Sequence, residues 1–199
     1  MRRRFAILTV LAALAAPVAS AQAQARVGVI SGISRATFTG GGARGITWRT
    51  ALILGGVVDV PLGEGFSVRS ELQFATKGSR GRVGSADAAM KLSYLQLPVL
   101  LQLLTGSDVL LRPRLFGGVS LGMLLSCRRK EVNCDDDPGL VTHDFDSGLL
   151  VGGEVEVLGA GLGVRYEAGL GSVTAVQNPG LEIQNGVLSL TLRYLFPWR

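Results

Sequence analysis

The chain has 199 residues, a hydrophobic fraction of 47%, a charged fraction of 18% and 28 glycines, a composition that fits one folded domain and excludes a disordered chain. Its formal charge is +5, but three of the cations are Arg2, Arg3 and Arg4. Without them 17 basic residues face 15 acidic ones, and a balance of +2 argues against a nucleic-acid partner.

The first 25 residues join those arginines to an apolar run from Phe5 to Ala16 and then to small residues at Ala19, Ala21, Ala23 and Ala25. That order is the layout of a secretory signal peptide, too short in its apolar part to span a membrane. Cleavage is expected within about 21–25, which leaves 26–199 as a single domain.

Beyond the leader there is no amphipathic helix of useful length and no apolar run long enough for a spanning helix. Alternation with period two recurs instead, interrupted by Gly, Pro, Asp and Ser, and predicts strands at about 26–35, 48–60, 65–78, 90–104, 109–125, 143–158, 160–173 and 185–196. The connections at 61–65, 105–108 and 158–161 are short, whereas those at 36–47, 79–89, 126–142 and 174–184 are long. Short turns at one end and long loops at the other describe an all-β, eight-stranded, up-and-down antiparallel transmembrane β-barrel with both termini at the short-turn end.

Each strand has one apolar and one polar face. Phe66, Val68, Leu72 and Phe74 alternate with Ser67, Arg69, Glu71 and Gln73, and Leu115, Val119 and Leu121 with Arg114 and Ser120. A soluble ligand-binding barrel shows the same alternation with the apolar face inside. Volume decides against it: eight such strands carry about 40 large apolar side chains, and the interior of an eight-stranded barrel is just wide enough for its side chains or one small ligand. The apolar face is therefore expected to meet lipid, and in the last strand this places Leu188, Leu190, Leu192, Tyr194 and Phe196 outward. Tyr194, Phe196, Trp198 and Phe66 would mark one headgroup boundary and Phe38, Trp48 and Phe74 the other.

A polar lumen must satisfy its own charges. The inward candidates are Arg69, Arg112, Arg114, Arg165 and Arg193 against Asp59, Glu71, Glu154, Glu156 and Glu167, five cations facing five anions. They are expected to form a network that plugs the barrel. Cys127 and Cys134, the only cysteines, lie six residues apart in an exported chain and are expected to form a loop disulfide. The long-loop side carries a basic rim, Arg35, Lys77, Arg80, Arg82, Lys91 and Arg128 among its residues, that could pair with the phosphates of lipopolysaccharide, with Lys77, Arg80 and Arg82 as the leading candidates.

No catalytic or metal site is expected, and no cofactor. His143, the only histidine, lies beside Asp144 and Asp146, where a rim enzyme would have to build its site, but one histidine among loop carboxylates is an ordinary hydrogen-bonding group. CDDDPG (134–139) lacks the EF-hand spacing. GAGLG (159–163) has no helix after it and fits a tight turn, and GGGAR (40–44) lacks the Lys-Ser/Thr of a phosphate loop.

Several stretches resemble a known family: LQFATKGSR (72–80), SYLQLPVLLQL (93–103), RPRLFGGVSLGMLLSC (112–127), VRYEAGLGSV (164–173) and NGVLSLTLRYLF (185–196). On these residues the chain resembles the PorT-like outer-membrane β-barrel proteins, with 94–98 and 112–118 as the more specific parts. The resemblance implies an eight-stranded outer-membrane barrel with periplasmic termini. It carries over neither the role of PorT in secretion nor any catalytic residue. The expected protein is thus a monomeric, non-enzymatic outer-membrane barrel, inserted by the barrel-assembly machinery and either structural or interactive through its long extracellular loops. The alternatives are a narrow porin-like pore, an outer-membrane enzyme and a soluble exported barrel.

Overall fold

The computed structural model describes residues 25–39, 46–83, 86–87, 90–106, 110–129, 132–133, 145–170 and 184–197. Eight long strands carry the architecture: β1 (Arg26–Thr39), β2 (Ile46–Gly63), β3 (Phe66–Val83), β5 (Met90–Leu104), β6 (Arg112–Arg129), β8 (Phe145–Val157), β9 (Ala160–Gly169) and β10 (Gln184–Leu195). Two short pieces, β4 (Ala86–Asp87) and β7 (Val132–Asn133), add two-residue ladders to β3 and β6 on the long-loop side. The long strands pair antiparallel in the order β2-β1-β10-β9-β8-β6-β5-β3, and β2 pairs with β3. The sheet therefore closes on itself. Each long strand lies beside its neighbours in sequence, and β10 returns to β1.

The register fixes the size of the barrel. Successive ladder partners run from Arg26 through Asp59, Arg69, Leu100, Gly118, Leu150, Glu167 and Val187 and return to β1 at Ala36. The return lies ten positions beyond the start, which is the stagger of the sheet. With eight strands and ordinary strand spacings, that stagger sets a strand tilt of about 40° and a backbone radius of about 8 Å. Such a cylinder holds side chains and little else.

The short turns are as tight as the sequence suggests. Glu64 and Gly65, with φ of 50° and 82°, join β2 to β3, and Leu158 and Gly159, with φ of 50° and 84°, join β8 to β9. Positive φ at both central residues is the conformation whose twist matches that of the flanking strands. β10 is anchored at this end by Leu195 N–H donating to the Gly159 carbonyl.

The distribution of burial is inverted relative to a water-soluble protein. Val29, Ile33, Leu52, Leu54, Leu72, Leu101, Leu115, Leu121, Val151 and Leu162 are all exposed, and buried polar or charged residues outnumber buried apolar ones. On β10, Leu188, Leu190, Leu192 and Tyr194, and Phe196 just past its end, face outward while Ser189, Thr191 and Arg193 are buried. Outward aliphatic positions on β2 run from Leu52 to Leu62, with Trp48 exposed beyond them. At about 2.5 Å of axial rise per tilted residue this is about 25 Å, the height of an outer-membrane hydrocarbon band. Hydrocarbon, not water, is the solvent this surface fits. Tyr194 and Phe196 pack edge to face, their ring centroids 5.7 Å apart, near the end where both termini lie. Trp198 lies outside the described residues, as do the side chain of Phe38 and residues 1–24 of the leader.

Candidate functional site

Among the described residues, the interior of the barrel is where this chain concentrates polar and charged side chains. Inward positions alternate along every strand, so each long strand delivers polar side chains to the axis. β1 contributes Arg26; β2, Asp59; β3, Ser67, Arg69, Glu71, Gln73 and Lys77; β5, Gln96 and Gln102; β6, Arg114 and Ser120; β8, Asp146, Glu154 and Glu156; β9, Arg165 and Glu167; and β10, Arg193. Six cations meet six carboxylates. All are buried except Arg26, which is intermediate.

Toward the short-turn end, Glu154 is the hub. Arg69 grips it with both terminal nitrogens, at 3.0 and 2.9 Å, and the Arg193 guanidinium donates to it from the other side. Arg193 also donates to Glu156 at 2.7 Å, and Glu156 accepts from Arg26 at 3.4 Å and lies 3.2 Å from Arg114. Asp59 closes this end between Arg26 and Arg114 at 3.4 and 3.6 Å. Bidentate guanidinium–carboxylate geometry is the strong form of such a pair, and it compensates the desolvation of both ions.

Toward the long-loop end, a second group spans the lumen. Arg165 on β9 donates to Glu71 at 2.6 Å and to Gln73 at 2.7 Å, both on β3, the strand opposite it in the closed sheet. The Gln73 amide donates to Gln96, and the Gln96 amide to Glu167. Lys77 donates to Glu167 at 2.6 Å and to Asp146 at 2.8 Å, and Ser120 donates to Glu167 at 2.7 Å. Arg69 and Glu71, 4.0 Å apart, link the two groups. The chain of polar contacts is therefore continuous from Lys77 to Asp59.

Apolar and aromatic groups fill the remaining volume. Leu100, Phe116 and Leu150 form a buried cluster, Arg69 lies over the Phe116 ring at 5.8 Å, and the Lys77 ammonium lies over Tyr94 at 5.5 Å. Glycine makes room at two decisive places. A Cβ at Gly161 would sit 2.6 Å from Cδ of Glu154, and one at Gly152 would sit 2.7 Å from the Phe116 ring.

Two expectations need correction. Arg112 shares the inward register, opposite Glu156, but stands at the first residue of β6 and is exposed at the mouth, outside the buried network. Lys77 is not on the rim: β3 runs on to Val83, so position 77 is still inside the barrel, and Lys77 is 1% exposed. Arg80 and Arg82 lie on the β3 extension, opposite Thr47 and Asp87, and their side chains are outside the described part of the structure. The same holds for Cys134, His143, 134–139 and 40–44. Cys127 lies on β6 opposite Leu92. GAGLG forms the β8–β9 turn and the start of β9. Among the described residues no group of three or more His, Cys, Asp or Glu is arranged to hold a metal ion.

Lys77, Asp146, Gln73, Gln96 and Gln102 join the network although they stood outside the expected set of ten charges, and their signal lay in the strand register alone. Leu100 had none, because the surrounding run is apolar on both faces.

A family model described as the outer membrane protein beta-barrel domain matches residues 20–175. The chain belongs to that family. The match ends before β10, the strand that closes the family barrel here against β1. Among solved structures, Neisserial surface protein A aligns over 85% of this chain and 97% of its own, at 16% identity and a TM-score of 0.51. Outer membrane protein W of E. coli aligns over 88% and 100%, at 15% identity and a TM-score of 0.45. The attachment invasion locus protein of Yersinia pestis, Ail, aligns over 86% and 98%, at 11% identity and a TM-score of 0.44. The likeness to Neisserial surface protein A is one of fold, and family and fold together place the chain as a bacterial outer-membrane barrel. No curated protein matches it by sequence.

Proposed function

We propose that this outer-membrane barrel is a plugged, non-enzymatic scaffold that works through its long-loop end and is related to the PorT-like proteins. It reaches the periplasm by the leader at 1–25, is inserted as a monomer by the barrel-assembly machinery, and closes its 126–142 loop with a Cys127–Cys134 disulfide. One observation carries the reading: all eight long strands contribute to the interior network, which fills the lumen from Asp59 to Lys77. An ion entering this lumen would have to displace paired charges in a low-dielectric space, at several kcal/mol for each ion left uncompensated. The purified protein in planar bilayers is expected to give no stable unitary current; reproducible, ion-selective steps would make it a pore instead. Non-reducing gels of the outer-membrane fraction test the disulfide, which predicts a mobility change on reduction that Cys134→Ser abolishes.

A further inference from the structure

The lipid-facing surface of β5 and β6 ends in two cations. Leu95 and Leu101 on β5 and Leu115, Leu121 and Leu125 on β6 are exposed along the apolar band. Beyond them, toward the long loops, Lys91 and Arg128 are exposed and are direct ladder partners. Direct partners in an antiparallel pair share a face, with Cβ atoms about 4.5–5.5 Å apart, and like charges so placed destabilise the pair. Neither side chain has an ion-pair or hydrogen-bond partner among the described residues. In the lumen every buried cation is matched by a carboxylate; here two cations stand together with no carboxylate against them among the described residues.

This juxtaposition depends on an irregularity in the sheet. The β5–β6 register shifts at Ser93/Tyr94, where β6 carries one extra residue. Without that bulge the pairing that holds below it would set Lys91 opposite Cys127; with it the partner is Arg128, and Cys127 faces Leu92. A bulge bends the strand and re-aims side chains. Here it converts an ordinary ladder position into a double cation about 7–10 Å beyond the last outward leucines, by the axial rise of a tilted strand. That is headgroup depth, on the leaflet of the long loops.

We infer that Lys91 and Arg128 form a binding site for the phosphomonoester headgroup of an outer-leaflet glycolipid. Guanidinium supplies two parallel N–H donors to phosphate oxygens and the ammonium a mobile point charge, and the phosphate dianion removes the repulsion between them. Arg35 on β1 is exposed with the uncharged Thr50 and Leu188 as its ladder partners, and provides the single-cation control. The inference rests on the outer-membrane placement of the barrel.

The test uses the full mature protein in phosphatidylcholine vesicles with diphosphoryl lipid A, its dephosphorylated form, or neither, and native mass spectrometry of the extracted protein. Wild type and Arg35→Gln are expected to retain diphosphoryl lipid A and not the dephosphorylated form. The Lys91→Gln/Arg128→Gln double variant should lose retention by about tenfold or more, the worth of two charge-assisted contacts. In phosphatidylcholine alone that variant should keep the wild-type shift between boiled and unboiled gel migration. Equal retention by wild type and the double variant, equal loss in Arg35→Gln, or equal binding of dephosphorylated lipid overturns the site. Displacement by millimolar inorganic phosphate overturns the glycolipid in favour of a free oxyanion. A wild-type protein that never yields a membrane-bound, heat-shifting species would instead remove the barrel placement beneath it.

Discussion

At the scale of single residues, the interior is a packing problem solved in charges, and glycine sets its tolerance. At Gly161 an added methyl would press on Glu154 Cδ at 2.6 Å and on Arg193 Nη2 at 3.0 Å. Neither partner can retreat, because each is held by the other and by Arg69 or Glu156. Gly161→Ala is therefore expected to cost about 1–3 kcal/mol, the range for overpacking, as read from urea unfolding in lipid vesicles. Gly56 is the contrast: it faces outward, and the nearest atom to an added Cβ is 4.0 Å away. Gly56→Ala should be neutral or stabilising by up to about 1 kcal/mol. Alternation in the sequence located the face of each lumen charge but not its depth. Asp59, Arg69, Glu71, Arg114, Glu154, Glu156, Arg165, Glu167 and Arg193 are buried, whereas Arg112, of the same register, is exposed where the strand emerges. Lys77 was misjudged for the converse reason, since a strand boundary drawn at 78 puts it at the rim while a strand ending at Val83 keeps it within.

At the scale of strands and turns, the sequence is most legible where one face must be apolar and least where something interrupts the period. The eight segments were readable because lipid outside and charge inside impose opposite demands on successive residues. The ends of β2, β3 and β6 were not, since above the membrane the alternation carries no such demand. The bulge at Ser93/Tyr94 left no trace in the period either, so the Lys91–Arg128 pair was not visible from spacing. β10 offers a direct test of which solvent its apolar face meets. Leu192 is 55% exposed between the buried Thr191 and Arg193. If hydrocarbon covers it, Leu192→Arg should cost about 2–4 kcal/mol near the midplane, measured by urea unfolding in vesicles. A neutral outcome would mean that water lies outside. The β8–β9 turn gives a smaller prediction: Leu158 holds φ of 50° and is 87% exposed, so Leu158→Asn, with a residue that tolerates the left-handed region, should raise stability by up to about 1 kcal/mol.

At the scale of the whole molecule, the question is whether the network seals the barrel or merely stiffens it. The stagger of ten on eight strands leaves little room, and what fills that room is tied from wall to wall. Arg165 to Glu71 and Gln73 is such a tie, from β9 to the strand opposite. Truncating one partner leaves the other a buried, unpaired charge, so Arg165→Ala alone should cost about 3–5 kcal/mol. Removing both charges, as Glu71→Ala/Arg165→Ala, lifts that penalty while deleting two large side chains that span the lumen. The double variant should therefore unfold at a urea concentration nearer to wild type than either single variant, and should conduct in planar bilayers where wild type does not. Recovery of stability without conductance would assign the seal to the flanking layers, Arg69–Glu154–Arg193 below and Lys77–Glu167 above, each of which also crosses the lumen. Conductance in the wild type, unchanged by the double variant, would mean that ions pass beside the network and that its charges serve stability alone.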